Sequence, residues 1–560
     1  YAVPQKSGAV LSLATNALSL TGKIKTPKTD LIFGYRKKNN QSLLSSQDVK
    51  GVYQPDFNDL QGVLNYRISS SWSASVLGIL NENRFFLAPE SRETSFGTLR
   101  QAYRFRVNYK GQEDDSYLNS LVGFTLRYQT ERSQWKWINS FFSMKEKEHF
   151  DIYGTYVFTD GSSPGVLAGD RGIGAFQDYG RNEMNAQVWA SELQWNFQAQ
   201  KSYWQSGIRF QHEDISDHLN EFNLLDSAGY MVSGSSYPLN YRFAINDVST
   251  TQINAFIDNV YRWTNFSLQT GIRGTYNSFT GEFIPSPRLS VTFSPAGKKD
   301  ISYRLATGLY AQPPFYREMR NLDGSINKNI KSQKAIHAIF SSNYHFQGLG
   351  TRLTFATEWY YKHLFDLIPY EVDNLRIRYL ADQKAEGYAL GVDFSLKGEL
   401  VTGLESAFRL SLMQTKEDIE GDLTGFIKRP TDQRVNFSAF FQDKLFNSPT
   451  YKIHMNLLFG SRLPTWPPRV AKGDQDFKIP AYRRLDIGFS KDLLDKEGRN
   501  HMKFLKSNFD AFILYAEIFN LLNINNTVSY LWIQDIRGDH YAVPNYLTSR
   551  QLNLKVIVKF

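Results

Sequence analysis

Few residues in this sequence are spaced for covalent chemistry. The run His212-Glu213-Asp214-Ile215-Ser216-Asp217-His218 is rich in groups that bind metals or move protons, but at a strand-to-loop exit it reads as a solvated polar run. Asn321-Leu322-Asp323-Gly324-Ser325 resembles the opening of a calcium loop, yet the acidic residue that completes such a loop is missing, so a turn is the better reading. There is no Gly-x-x-x-x-Gly-Lys-Ser/Thr loop, no His-Glu-x-x-His helix, no cysteine, and no Ser/His spacing that nominates a triad. No catalytic residue, metal ligand or cofactor is therefore expected. Binding chemistry is better represented. Residues 313–332 carry Phe315, Tyr316, Arg317, Arg320, Lys328 and Lys331 against Glu318 and Asp323. Residues 463–480 hold Trp466 among Pro464, Pro467 and Pro468. Aromatic faces beside cations suit an anionic chelate, a glycan or a peptide terminus, with Phe315, Tyr316, Arg317, Arg320 and Trp466 as the contacts. The same residues would also serve to shape loops and touch lipopolysaccharide.

Composition narrows what could position such residues. The chain has 560 residues, 15% of them aromatic, and a mean hydropathy of −0.42. No stretch approaches the ~18 apolar residues of a membrane helix. The aromatic content excludes a disordered or collagen-like chain. The 64 basic and 55 acidic residues leave a net charge of +9, but they are interspersed rather than gathered on one face, so nucleic acid is not expected as a partner. No signal peptide stands at Tyr1.

Strict alternation of apolar and polar residues runs through most of the chain. Leu552, Leu554, Val556, Val558 and Phe560 interleave with Gln551, Asn553, Lys555 and Lys559. Tyr451, Ile453, Met455, Leu457 and Phe459 do the same, as do Tyr388, Leu390, Val392, Phe394 and Leu396. Period two sends neighbouring side chains to opposite faces of a strand. These segments run about 10 residues, the length a tilted strand needs to cross a bilayer, whereas strands of soluble sandwiches are shorter. Short connections near 23–29, 69–71, 131–133, 199–202, 263–265, 295–300, 347–350, 399–403 and 446–450, with a longer one near 493–507, take turns with mostly longer ones. The longer ones lie near 40–58, 84–116, 159–183, 216–249, 281–285, 313–332, 365–385, 417–432, 463–480 and 522–547. Short turns on one side and long loops on the other describe an outer-membrane barrel.

The expected fold is thus all-β, a transmembrane antiparallel β-barrel over residues 1–560. The connections above predict about 21 strands in this chain, with Ala9–Leu20 as the first. Closed barrels of this kind have even numbers, so 22 are expected in the intact protein, one of them missing before Tyr1. Residues 84–116 are read as an extended loop hairpin, not a further membrane strand. Trp72, Trp135, Trp204 and Trp263 beside short turns, and Tyr360 and Tyr361 near the opposite end, would form interfacial girdles. On the polar face, Arg127, Arg209, Arg304, Arg352, Glu358, Asp393, Lys397, Glu405, Arg409 and Asp486 are expected to point into the lumen. A lumen this wide cannot be filled by its own side chains.

At this point the sequence resembles the barrel of a TonB-dependent receptor of the Bacteroidota type. Ala516-Glu517-Ile518-Phe519-Asn520-Leu521-Leu522-Asn523 is similar to the penultimate-strand motif, and Asn553–Phe560 to the last strand and its sorting signal. Pro287-Arg288-Leu289-Ser290, Gln312-Pro313-Pro314-Phe315-Tyr316 and Gly387-Tyr388-Ala389-Leu390-Gly391-Val392 add mid-barrel support. The resemblance implies import of a specific ligand, such as a siderophore, glycan or peptide, across a Gram-negative outer membrane. It implies an N-terminal plug and coupling box, neither found in this sequence, that link to the TonB energy-coupling complex. Outer-membrane lipid, lipopolysaccharide and a surface lipoprotein or other subunit are the implied neighbours. Two rivals stand beside this reading. A plugless or structural barrel in a secretion assembly would lack plug and box upstream, and an outer-membrane hydrolase would lose turnover on one Ser, His or Asp change.

Overall fold

The computed structural model describes residues 6–560 apart from 40–50, 98–101, 161–169, 227–238, 298–299, 374–375, 468–476, 495–508, 535–539 and 548. Alternation persists so far along the chain that nearly every described segment is a strand. One antiparallel sheet holds 24 strands; Arg92–Gly97 and Ile427–Lys428 are short additions to it, and the other 22 close into a barrel. Each barrel strand pairs with the next along the chain. The first, Gly8–Ala14, then pairs with the last, Gln551–Lys559, setting Leu11 opposite Val558 and Leu13 opposite Val556. Phe560 completes the seam by donating its N–H to the Ala9 carbonyl at 2.8 Å.

The expectation of 21 strands is one short, and the reason is local. Ala9–Leu20 is a hairpin: Gly8–Ala14 pairs with Ala17–Lys25 about a turn at Thr15 and Asn16. Alternation runs through this turn without a glycine or proline to mark it. Neighbouring strands satisfy its backbone, since Thr15 N–H donates to the Leu554 carbonyl and the Asn16 carbonyl accepts from Asn39 N–H. Parity is met by strands of this chain, so no strand before Tyr1 is needed to close the sheet.

Residues 84–116 form the expected extended hairpin: Trp72–Pro89 pairs with the barrel part of Ala102–Gln129, while Arg92–Gly97 pairs with its start. The outward rows carry exposed apolar residues such as Val122, Ile208, Leu305 and Trp359. Near the short turns this belt ends in aromatic pairs, with Trp72 4.8 Å from Tyr128 and Trp263 4.5 Å from Tyr261 between ring centroids.

The wall is uneven in height. Ala102–Gln129, Ser133–Asp160, Asp170–Gln198, Ser202–Asp226 and Leu239–Arg262 have 24 to 29 residues, against 12 each for Phe266–Asn277, Glu282–Phe293 and Ile301–Gln312. A crossing uses about 10 residues, so the tall strands stand roughly 35–50 Å beyond the membrane at ~3.3 Å per residue and ~40° tilt. Much of 159–183 and 216–249, expected as loops, is therefore strand. Above the lipid the outer row of Ser202–Asp226 turns polar, so hydropathy stops signalling a strand whose backbone ladder continues.

Candidate functional site

Three connections reach from the shorter strands toward the inner face of the tall wall. One is the helix Tyr316–Met319, started by the prolines before Phe315 and capped by Glu318, whose carboxylate accepts from Phe315 N–H at 3.1 Å. The second is the hairpin of Tyr370–Asp373 and Arg376–Tyr379. The third is the hairpin of Thr527–Gln534 and His540–Tyr546, whose Val543 is fully buried with Phe105, Val107 and Tyr156 of the wall.

The docking of the first two is ionic. Tyr316 donates its hydroxyl to Asp217 at 2.6 Å, and Arg320 Nη1 reaches the same carboxylate at 3.1 Å. Arg317 pairs with Glu146 and lies 3.7 Å from Glu148. Arg376 lies over the Phe150 ring at 4.3 Å and 3.9 Å from Glu113. Beside the ions, Tyr316 packs with Met184, Ala186 and Ile215. A turn follows the helix, with Ser325 N–H donating to Asp323 at 2.9 Å. Gly324, at φ +94°, sits where an added Cβ would press on Ala244 at 3.0 Å, so both its conformation and its contact favour glycine.

Between wall and roof lies a cavity of about 400 Å³. Its charged lining is five arginines (Arg242, Arg317, Arg320, Arg376, Arg378) against four carboxylates, Glu146, Glu148, Asp217 and Glu221. Burial pushes the Glu146 carboxyl up to about 7, despite the opposing Arg317. Burial, with Glu113 and Glu148 close by, pushes Asp115 up to about 8. The arginines therefore outnumber ionised carboxylates more clearly near neutrality than the residue count implies.

Of the five residues nominated from sequence for ligand contact, Phe315, Arg317 and Arg320 line this cavity, while Tyr316 is buried against the wall beside it. Trp466 lies elsewhere, in a small recess with Glu371, Val372, Pro430, Pro464 and Pro467, its buried indole N–H without a hydrogen-bond partner among the described residues. Pro468 falls outside the described residues. The run 212–218 is strand, not solvated loop: Ile215 and Asp217 are buried while Asp214 and His218 are exposed. The wall carboxylates and Arg242, Arg376 and Arg378 were missed by sequence reasoning. The polar outer residues His212, Asp214 and His218 hid the strand that carries Asp217, so hydropathy gave no signal for it.

The polar row lower in the barrel makes its own contacts. Arg209 Nη2 donates to Gln211 at 2.8 Å and Arg304 Nη2 to Ser290 at 3.3 Å, next to the exposed Ile208 and Leu305. Asp393 accepts from Ser411 at 2.5 Å and stands in register with Glu358. Arg409 lies opposite Ser395 and Ser438, and Arg127 opposite Ser73 and Lys136. Arg352 approaches Asp300 at 3.6 Å near a short turn. Asp486 is buried, accepting from Arg484 Nε at 2.7 Å and Asn520 N–H at 2.9 Å. Among the described residues no group of three or more His, Cys, Asp or Glu could hold a metal ion.

Comparison with known proteins agrees with this architecture. No curated protein matches the sequence. Solved structures do match over the whole chain. The ferric-catecholate import receptor of E. coli K12 superposes with a TM-score of 0.67 at 10% identity, covering 100% of this chain and 82% of that one. A mutant of the ferric enterobactin receptor of Pseudomonas aeruginosa gives 0.66 at 10% identity, covering 100% and 81%. The ferripyoverdine receptor of the same organism gives 0.66 at 11%, covering 100% and 72%. The family model described as TonB dependent receptor-like, beta-barrel matches residues 33–521. That span includes the tall wall, the ionic roof and most of the closed sheet, and the chain belongs to the TonB-dependent receptor-like β-barrel family.

Proposed function

We propose that the cavity at the outer mouth is the barrel's part of the site for an anionic metal chelate, imported through the lumen. The family places the chain in the Gram-negative outer membrane, as a ligand-import receptor rather than an enzyme. The observation that supports an anionic ligand is the convergence of Arg242, Arg317, Arg320, Arg376 and Arg378 on one cavity. Charge-assisted, forked contacts from several arginines recognise clustered anionic oxygens. The structural relatives named for ferric catecholate and ferripyoverdine add weight to a chelate over a neutral glycan.

The remaining parts of the function are inferred from the same chemistry. The polar row of Arg127, Arg209, Arg304, Arg352, Glu358, Asp393 and Arg409 would line a hydrated lumen around an N-terminal plug, through which TonB coupling acts. Exposed apolar rows would meet lipid and lipopolysaccharide. Binding of a ferric tris-catecholate to the barrel in nanodiscs tests the ligand class. Arg317→Gln should weaken it about tenfold, the scale of one charge-assisted contact, and leave a neutral oligosaccharide unaffected. Unchanged chelate affinity would move the site away from this cavity.

A further inference from the structure

The tall wall has two upright edges, and the fold treats them differently. At one edge Ala102–Gln129 is covered by Arg92–Gly97, from Arg92 opposite Val107 to Gly97 opposite Ala102. At the other, Leu239–Arg262 pairs with Ser202–Asp226 from Leu224 down to Ser202, but with Phe266–Asn277 only from Gln252 downward. Among the described residues no strand pairs with the free side of 241–249. On that side its backbone N–H and C=O groups have no strand partner among the described residues.

Exposure alternates along this edge without a break. Tyr241 is 57%, Phe243 60% and Ile245 61% exposed, and Asp247 and Ser249 follow on the same face. The other row is anchored inside: Arg242 Nη1 donates to Glu221 at 2.7 Å, and Asn246 Nδ2 donates to the Tyr316 hydroxyl at 3.2 Å and the Gly324 carbonyl at 2.9 Å. The edge is thus held rigid from behind. Lipid does not explain the apolar row. Ile245 stands eight residues above Ile253, an exposed residue of the belt, which lifts it roughly 20 Å at ~3.3 Å per residue and ~40° tilt. Nor is the edge defended in the usual way, since 241–249 contains no proline or lysine and its register with Ser202–Asp226 has no bulge.

We propose that residues 241–249 are a docking edge for an extended segment of a partner polypeptide, which adds as one more strand. Its alternate apolar side chains would lie beside Ile245, Phe243 and Tyr241, and a lysine or arginine two residues before them would face Asp247. Only another peptide backbone offers donors and acceptors at the spacing of a strand edge. The carboxylate of Asp247 at one end of the apolar row sets the orientation and the charge.

The test uses the full chain in nanodiscs and the labelled peptide Thr-Lys-Thr-Val-Thr-Val-Thr-Tyr-Thr, read by anisotropy and by amide hydrogen exchange. Binding should protect amides within 241–249 and leave the rest of the barrel unchanged. Asp247→Lys, at an exposed position that leaves the fold intact, should weaken binding about tenfold, as attraction becomes repulsion across the strand pair. A peptide with glutamate in place of lysine should recover that loss on the variant. A fully N-methylated peptide should not bind. Equal binding of the N-methylated peptide, indifference to Asp247→Lys, or protection of the same amides by lipopolysaccharide alone would each overturn the proposal.

Discussion

Removing the charge of Asp217 should release the Tyr316–Met319 helix from the wall without opening the barrel. Asp217 is 2% exposed and accepts from both the Tyr316 hydroxyl and Arg320. Asp217→Asn keeps the volume and one acceptor oxygen but strands the Arg320 guanidinium, whose side chain is 25% exposed. Breaking a buried pair from one side costs about 3–5 kcal/mol, and partial exposure of Arg320 argues for the lower end, about 3 kcal/mol. That corresponds to roughly 150-fold in the docking equilibrium. Amide exchange of residues 316–326 at pH 7 should accelerate by about that factor, while Phe266–Asn277 and its neighbours keep their protection. Adding Arg320→Gln should recover part of the loss, because the stranded charge is then gone. Acceleration below about fivefold, or equal acceleration throughout the barrel, would refute the ionic account of docking.

Two further outcomes are expected. Leu457, 37% exposed and paired with Ala439 and Leu485, faces lipid, so Leu457→Arg should cost about 2–4 kcal/mol of folding stability in vesicles. Asn456→Arg, on the opposite face and in register with the buried Asp486, should cost less than about 1 kcal/mol, and equal costs would reverse the facing of this strand. The roof should also dock more weakly as pH rises. Asp115 and Glu146 hold their protons up to about 8 and about 7 when covered, above the usual carboxylate range. The docked state then binds more protons than the undocked one, so its advantage is full at acidic pH and lost as pH rises through about 7 to 8. Exchange of 316–326 and 376–379, corrected for intrinsic rates, should be slower at pH 5 than at pH 8.5. The reverse order would mean that Asp115 and Glu146 are ionised in the docked roof.

The barrel was legible because its signal is local and repeated. Leu552, Leu554, Val556 and Val558 declare one face of a strand without reference to anything else in the chain. Where that locality failed, the reading failed with it. The turn at Thr15 and Asn16 has no glycine or proline, and the bonds that complete it come from Leu554 and Asn39. The run 212–218 looked like a loop because its exposed row is polar, and the burial of Asp217 comes from Tyr316, about a hundred positions further along.

Alternation, strand length and the rhythm of turns were enough, without coordinates, for a closed outer-membrane sheet and the aromatic-cationic character of 313–332. Those properties depend on near neighbours and on the solvent each face meets. Tertiary structure alone decided which residues share the outer mouth, how tall the wall stands, and which of its edges has no pairing strand among the described residues. Arg317, Arg320 and Arg376 meet carboxylates from strands several places round the barrel, and no periodicity in one segment encodes the partner it finds there.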